Sequence, residues 1–193
     1  MKRSTHRILT THVGSLIRPP ELLNLLRAQA SGKAVDAREY EECLKNSVAA
    51  VVRRQAAAGI DVVSDGEFGK NISWAQYALE RLSGFERRKV ALDANPFVAG
   101  ADRARFKDFY AEMDAQQGPS SDWESVCTGP IAYSGIAALQ RDIDDVKAAL
   151  MGTKVEEAFL PVAAPASVIP DRKNEYYRND EEMLQAIAEA MRT

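Results

Sequence analysis

Short apolar runs of strand type alternate along this chain with amphipathic helix patterns, and that alternation restricts the fold more than any other feature. Residues 60–64 (IDVVS) and 157–163 (EAFLPVA) are apolar, short and of buried-strand type. Residues 7–13 (RILTTHV) also lean to β and end at Gly14-Ser15. Between these runs the helical period takes over. Pro20 opens a helix over 21–30, because the first turn has no use for its missing N–H, and Leu22, Leu23, Leu25 and Leu26 form its apolar face. Asp36 and Glu39 have capping-box spacing ahead of a longer helix, which carries Tyr40, Cys43, Leu44, Val48, Val51 and Val52 and stops at Gly59. Further helices are predicted over 73–82, near 103–113, over 142–150 and after Asn179. The one near 103–113 shows Phe106, Phe109, Tyr110 and Met113 on a face; the last carries Met183, Leu184, Ile187 and Met191. Residues 124–128 are extended and turn at Gly129-Pro130. Strands separated by helices predict an α/β fold with a parallel sheet covered by helices. Residues 84–118 interrupt the alternation and read as an insertion. The pattern holds about four βα units, about half of a (β/α)₈ barrel, which typically takes about 250 residues. The sequence reaches Thr193 inside the final helix with no terminating Gly or Pro, which favours a truncated barrel.

Composition removes several classes of function. A chain of 193 residues, 46% hydrophobic and 27% charged, is globular in type. Its net charge of -3 is spread over mixed signs, and Arg53-Arg54 and Arg87-Arg88-Lys89 are too short to make a nucleic-acid stripe. No run is apolar and long enough to span a bilayer. Cys43 and Cys127, far apart, form no disulfide framework, so a reducing cytoplasm is expected.

In an α/β barrel, polar residues just past the strands face the active-site mouth. Three segments qualify: residues 10–15, 64–67 and 127–130. Gly14 and Ser15 read either as backbone and hydroxyl donors for an anion or as a tight turn. Asp65 and Glu67 flank Gly66; they suit an amine ligand or a base, while Asp65 alone also suits a loop turn. His12 reads as a proton carrier or as a hydrogen-bonded structural residue. Cys43 belongs to an apolar helix face, and Cys127 reads as a buried thiol or a ligand neighbour. There is no Walker loop, dinucleotide fingerprint, Gly-x-Ser-x-Gly elbow or zinc cluster.

Four segments, in this order, resemble the cobalamin-independent methionine synthase family, especially its shorter single-barrel relatives. TTHVGSLIRP (10–19) is similar to the family's first strand and loop, with Ile17 where proline is common. AAGIDVVSDGEFGK (57–70) is similar to the second strand and its acidic loop. VCTGPIAYSG (126–135) resembles the segment after the family's insertion, and EAFLPVAAPASV (157–168) the third strand. The resemblance implies that 1–193 is the N-terminal part of one barrel domain, with an inserted irregular and helical segment at about 84–130 that takes in the strand near Cys127.

The resemblance also implies a zinc-dependent methyl transfer, without cobalamin, from methyltetrahydrofolate to the thiol of homocysteine. It places Gly14 and Ser15 at the carboxylate end of the thiol substrate and Glu67 at its amino group. Cys127 would line the approach of the second, folate-like substrate. The family's zinc ligands lie in the other half of its barrel, so no residue here, His12 included, is assigned to metal. A short-type relative that opens epoxides with coenzyme M is one alternative. A catalytically inactive truncated fragment, or a half barrel needing a complementary half, is another, because unpaired strand edges promote self-association. A metal-free barrel of the uroporphyrinogen decarboxylase kind is a third.

Overall fold

The computed structural model describes residues 2–70, 74–89, 100–117, 123–168 and 173–192. In chain order its elements are α1 (Pro20–Ala30), α2 (Ala37–Ala57), β1 (Val62–Ser64), α3 (Trp74–Leu79), β2 (Phe85–Lys89), α4 (Ala101–Arg105), α5 (Lys107–Gln117), β3 (Trp123–Cys127), α6 (Ile136–Leu150), β4 (Glu157–Phe159), α7 (Pro165–Val168), β5 (Lys173–Asn174) and α8 (Asp180–Arg192). Contacts group them into two units, Met1–Arg81 with Gly135–Ala163, and Leu82–Ser134 with Ala164–Thr193. Ser73, the expected start of a helix, residues 90–99 and 118–122 of the expected insertion, and Thr193 lie outside the described residues. Among the described residues, no helix is long and apolar enough to cross a membrane.

The first unit has the predicted βαβ logic. Thr11 bridges Val62 in parallel, and β1 pairs in parallel with β4, Val62 opposite Glu157 and Ser64 opposite Phe159. Helices separate these strands in sequence and cover them: α2 packs on α1, α6 and β1. Leu22, Leu26, Val48, Val52, Val63, Phe68 and Val146 form the buried core, so the helix periods mark the buried faces. Asp36 caps α2, its carboxylate accepting from the N–H groups of Arg38 and Glu39 at 2.9 Å. Gly59 ends the helix region with φ of 82°.

The strands are shorter than their apolar runs, for two local reasons. Pro161 has no N–H to continue a ladder past Phe159. At the first strand, side chains take ladder positions. Asp61 Oδ2 accepts from Thr10 N at 2.8 Å and Thr10 Oγ1 at 3.0 Å, while Thr10 O accepts from the N–H groups of Asp61 and Val62. Arg7 adds two hydrogen bonds to the Asp61 carboxylate, which holds that carboxyl well below its usual range. Helix α6 begins at Ile136, ahead of the expected 142. Gly135 sits directly before it, where a Cβ would lie 2.3 Å from Arg81 Cγ.

In the second unit, β3 pairs antiparallel with β2 and parallel with β5. The extended segment at 124–128 therefore belongs to a different sheet from β1 and β4. Gly84 (φ 84°) allows two backbones to cross; a Cβ there would lie 2.6 Å from the Gly129 carbonyl oxygen. Asn179 Oδ1 accepts from Glu182 N at 2.9 Å at the start of α8, which buries Met183 and Ile187. The single helix expected near 103–113 is broken at Phe106 (φ -117°, ψ 51°). Phe106 and Phe109 are 52% and 62% exposed, so the aromatic period there marks no core face. Its rings pack locally instead, Phe109 edge-on to Tyr110 and Arg103 over Tyr110.

Candidate functional site

Two loops meet at the end of the first parallel strands. The first, after Thr11, turns at Gly14, whose φ of 102° suits glycine alone, and the space where a Cβ would stand is open. The second follows β1 through Asp65, Gly66 and Glu67. Leu16 N donates to Gly66 O at 3.0 Å, joining the two. Arg18 tightens the joint: its Nη2 donates to the carbonyls of Glu67 at 2.7 Å and Lys70 at 2.8 Å.

That geometry brings Ser15 and Glu67 together. Ser15 Oγ donates to Glu67 Oε2 at 2.9 Å. Glu67 is 9% exposed and is the one non-glycine with positive φ (60°) among the described residues. Such a backbone costs about 1–3 kcal/mol and persists where surrounding structure holds it. Here the Glu67 N–H donates to Asp65 Oδ1 at 3.0 Å, and Phe68 anchors the next position in the core. Asp65 is thus a turn-former; burial pushes its carboxyl above the ordinary range.

Several contributors had no clear signal in the sequence. Lys70 is buried beside Glu67, its Nζ 3.8 Å from Glu67 Oε1. Tyr77 on α3 donates to Asp142 Oδ2 on α6 at 2.5 Å, and Arg81 lies 3.5 Å above the Tyr77 ring while pairing with the same carboxylate at 2.9 Å. The pairings with Asp142 form no motif, because Tyr77 and Arg81 lie 65 and 61 positions from it, and the three-residue step from Glu67 to Lys70 does not by itself reveal that both are buried. Burial and the Asp142 carboxylate push the Tyr77 hydroxyl above its ordinary 10.0. A raised folded-state value means stability present below pH about 10 and lost as pH rises above it. Tyr77→Phe should therefore flatten the alkaline limb of stability between pH about 9 and 11. Urea midpoints across that range check it, and an unchanged limb would discard the Tyr77–Asp142 bond as a contributor.

The remaining candidates fall elsewhere. His12 Nε2 is buried with no hydrogen-bond partner among the described residues. Cys43 packs against the core from α2. Cys127 is in the second unit, fully buried, its Sγ donating to Gly129 O at 3.6 Å, and burial pushes its thiol up. Among the described residues, no three His, Cys, Asp or Glu side chains converge to hold a metal. A groove of about 710 Å³ between α2 and α6 includes Tyr40, Arg81, Arg141 and Asp142, but none of Gly14, Ser15 or Glu67.

Comparison with known proteins gives this geometry a context. The family described as "Cobalamin-independent synthase, Catalytic domain" matches residues 8–156. A methionine synthase of Sulfolobus acidocaldarius is 28% identical over 182 residues, 94% of this chain and 45% of its own length. A 5-methyltetrahydropteroyltriglutamate–homocysteine methyltransferase of Bradyrhizobium diazoefficiens is 38% identical over 143 residues, 69% of this chain and 18% of its own length. Among solved structures, a B12-independent methionine synthase from a Shewanella species, in complex with selenomethionine, matches with a TM-score of 0.59 at 16% identity, over 94% of this chain and 45% of that one. A putative vitamin-B12 independent methionine synthase from Listeria monocytogenes matches with a TM-score of 0.58 at 19% identity, over 95% and 47%. At these identities the likeness speaks for the fold, which is part of a (β/α)₈ barrel. The chain spans less than half the length of each of these relatives.

Proposed function

The chain belongs to the cobalamin-independent methionine synthase family, and from that premise we propose that it supplies the amino-acid end of the thiol-substrate site in a homocysteine methyltransferase. The observation that carries this reading is the Ser15–Glu67 pair, a buried carboxylate held on a left-handed residue where two barrel loops meet. Glu67 takes the ligand's ammonium through a charge-assisted bond. Gly14, with open space beside its backbone, takes the carboxylate, and the Ser15 hydroxyl joins it by turning its one proton away from Glu67 Oε2, which the ammonium then satisfies. Binding and orientation are this chain's share of the reaction.

Zinc belongs to the proposal only for the complete family enzyme, where a metal supplies a thiolate at neutral pH. The described residues do not suit it, and no metal-dependent step is assigned to them. The partners that follow are a thiol amino acid, a folate-like methyl donor and the part of the barrel that this chain does not span.

Glu67→Gln keeps the shape and removes the charge. It should weaken L-homocysteine binding by about tenfold or more, since an ammonium loses its buried counter-charge. Isothermal titration of both proteins checks this. Equal affinities would remove Glu67 from the site.

A further inference from the structure

Lys70 is 4% exposed, and a buried ammonium is expensive unless paired. Its side chain reaches out of the Glu67 loop in two directions. Nζ donates to the Pro161 carbonyl, beyond β4, at 2.5 Å, and lies 3.8 Å from Glu67 Oε1. The Tyr77 ring centroid is 5.5 Å away, a cation–π distance. The backbone is fixed as well: Lys70 N donates to Glu67 O at 3.1 Å, and Arg18 Nη2 donates to Lys70 O. The ammonium therefore has one settled place.

Among the described residues, the Glu67 carboxylate has fewer restraints of its own. Ser15 Oγ engages Oε2, and Lys70 is the cation beside Oε1. Asp65 is a second carboxylate on the same loop and Asp142 a further one on α6, and both add negative potential around Lys70. Arg18 is the nearby positive group that opposes it. The primary hydrogen bond of Lys70 goes to Pro161, so among the described residues Oε1 keeps its lone pairs for another donor.

We propose that Lys70 is the positioning residue for the Glu67 carboxylate, bracing it from the Oε1 side while tying the loop after β1 to the chain just beyond β4. The brace rests on the reading above, in which Glu67 receives the ligand's ammonium. It deepens that reading by making selectivity for amine-bearing thiols depend on a residue that does not itself touch the ligand. Lys70→Met keeps the stem and drops the charge, and Lys70→Arg keeps the charge.

Two measurements on the full chain test it. The first is urea unfolding of Lys70→Met, Glu67→Gln and the double variant. The double variant should lose far less than the sum of the singles, with a coupling of about tenfold in the unfolding equilibrium. If Lys70→Met alone does not fold, the double variant should fold, because the carboxylate no longer lacks its counter-charge. Additive losses, or a double variant that also fails, would overturn the proposal. The second is titration with L-homocysteine and with 4-mercaptobutanoate, which lacks the amine. Lys70→Met should cut the wild type's preference for the amine-bearing ligand by about tenfold, and Lys70→Arg should restore most of it. A purely structural lysine would weaken both ligands alike, which would also overturn the proposal. If the wild type shows no preference while the cycle shows coupling, the brace stands and the assignment of Glu67 to an amine falls.

Discussion

Phe68→Ala should lower folding stability by about 3–5 kcal/mol, the range for truncating a buried aromatic. Phe68 is 2% exposed and belongs to the core cluster with Leu22, Val51, Val52 and Val63. Its ring also fits a site where little can move. A Cβ on Gly66 would lie 3.1 Å from Phe68 Cε1 and 3.3 Å from Val51 Cγ1, so ring, loop and α2 are in close contact. The cavity left by alanine would open directly beneath Glu67, and the strained residue would lose the anchor that holds it. We therefore expect ligand binding to weaken along with stability. Urea denaturation with an unchanged m-value checks the first effect; a loss below about 1 kcal/mol would mean that the loop repacks freely.

Gln55→Leu should cost about 2–4 kcal/mol by a different route. Gln55 lies on α2, 6% exposed, and its amide pairs with one residue of β1 through both of its ends. Nε2 donates to Ser64 O at 2.8 Å, and Oε1 accepts from Ser64 N at 3.1 Å. Leucine fills the same volume but leaves a buried backbone donor and acceptor of Ser64 without this partner. Since Ser64 immediately precedes Asp65, the loss falls at the base of the Glu67 loop. Hydrogen exchange at the Ser64 amide should accelerate in step with the lost stability. An amide that stays protected in the variant would show that another group takes over the bond.

Both effects depend on contacts that pattern alone did not reveal, although the frame around them was legible. The helical periods of 22–26 and 44–52 marked real buried faces, because a helix must hide one side whatever covers it. Asp36 and Asn179 started helices and Gly59 ended one as their chemistry dictates, since caps are local interactions within a few residues. The order of parallel strands was also legible, and so was the family, from four segments in sequence. Periodicity misled at 103–113, where an apolar face exists but its aromatics stay exposed. A period states which side is apolar and says nothing of whether anything packs on it.

The site divides along the same line. By itself, the sequence determined that Gly14, Ser15 and Glu67 lie in loops just past strand-type runs, because strand ends and turn residues are local signals. Only the tertiary structure decided that Ser15 touches Glu67, that Glu67 sits at positive φ, and that Lys70 and Tyr77 answer to Pro161 and Asp142. Those pairings join residues 52 to 91 positions apart. A hydrogen bond or ion pair is specified by where two backbones bring its partners, and that depends on how strands register and helices pack. No spacing within one segment encodes it.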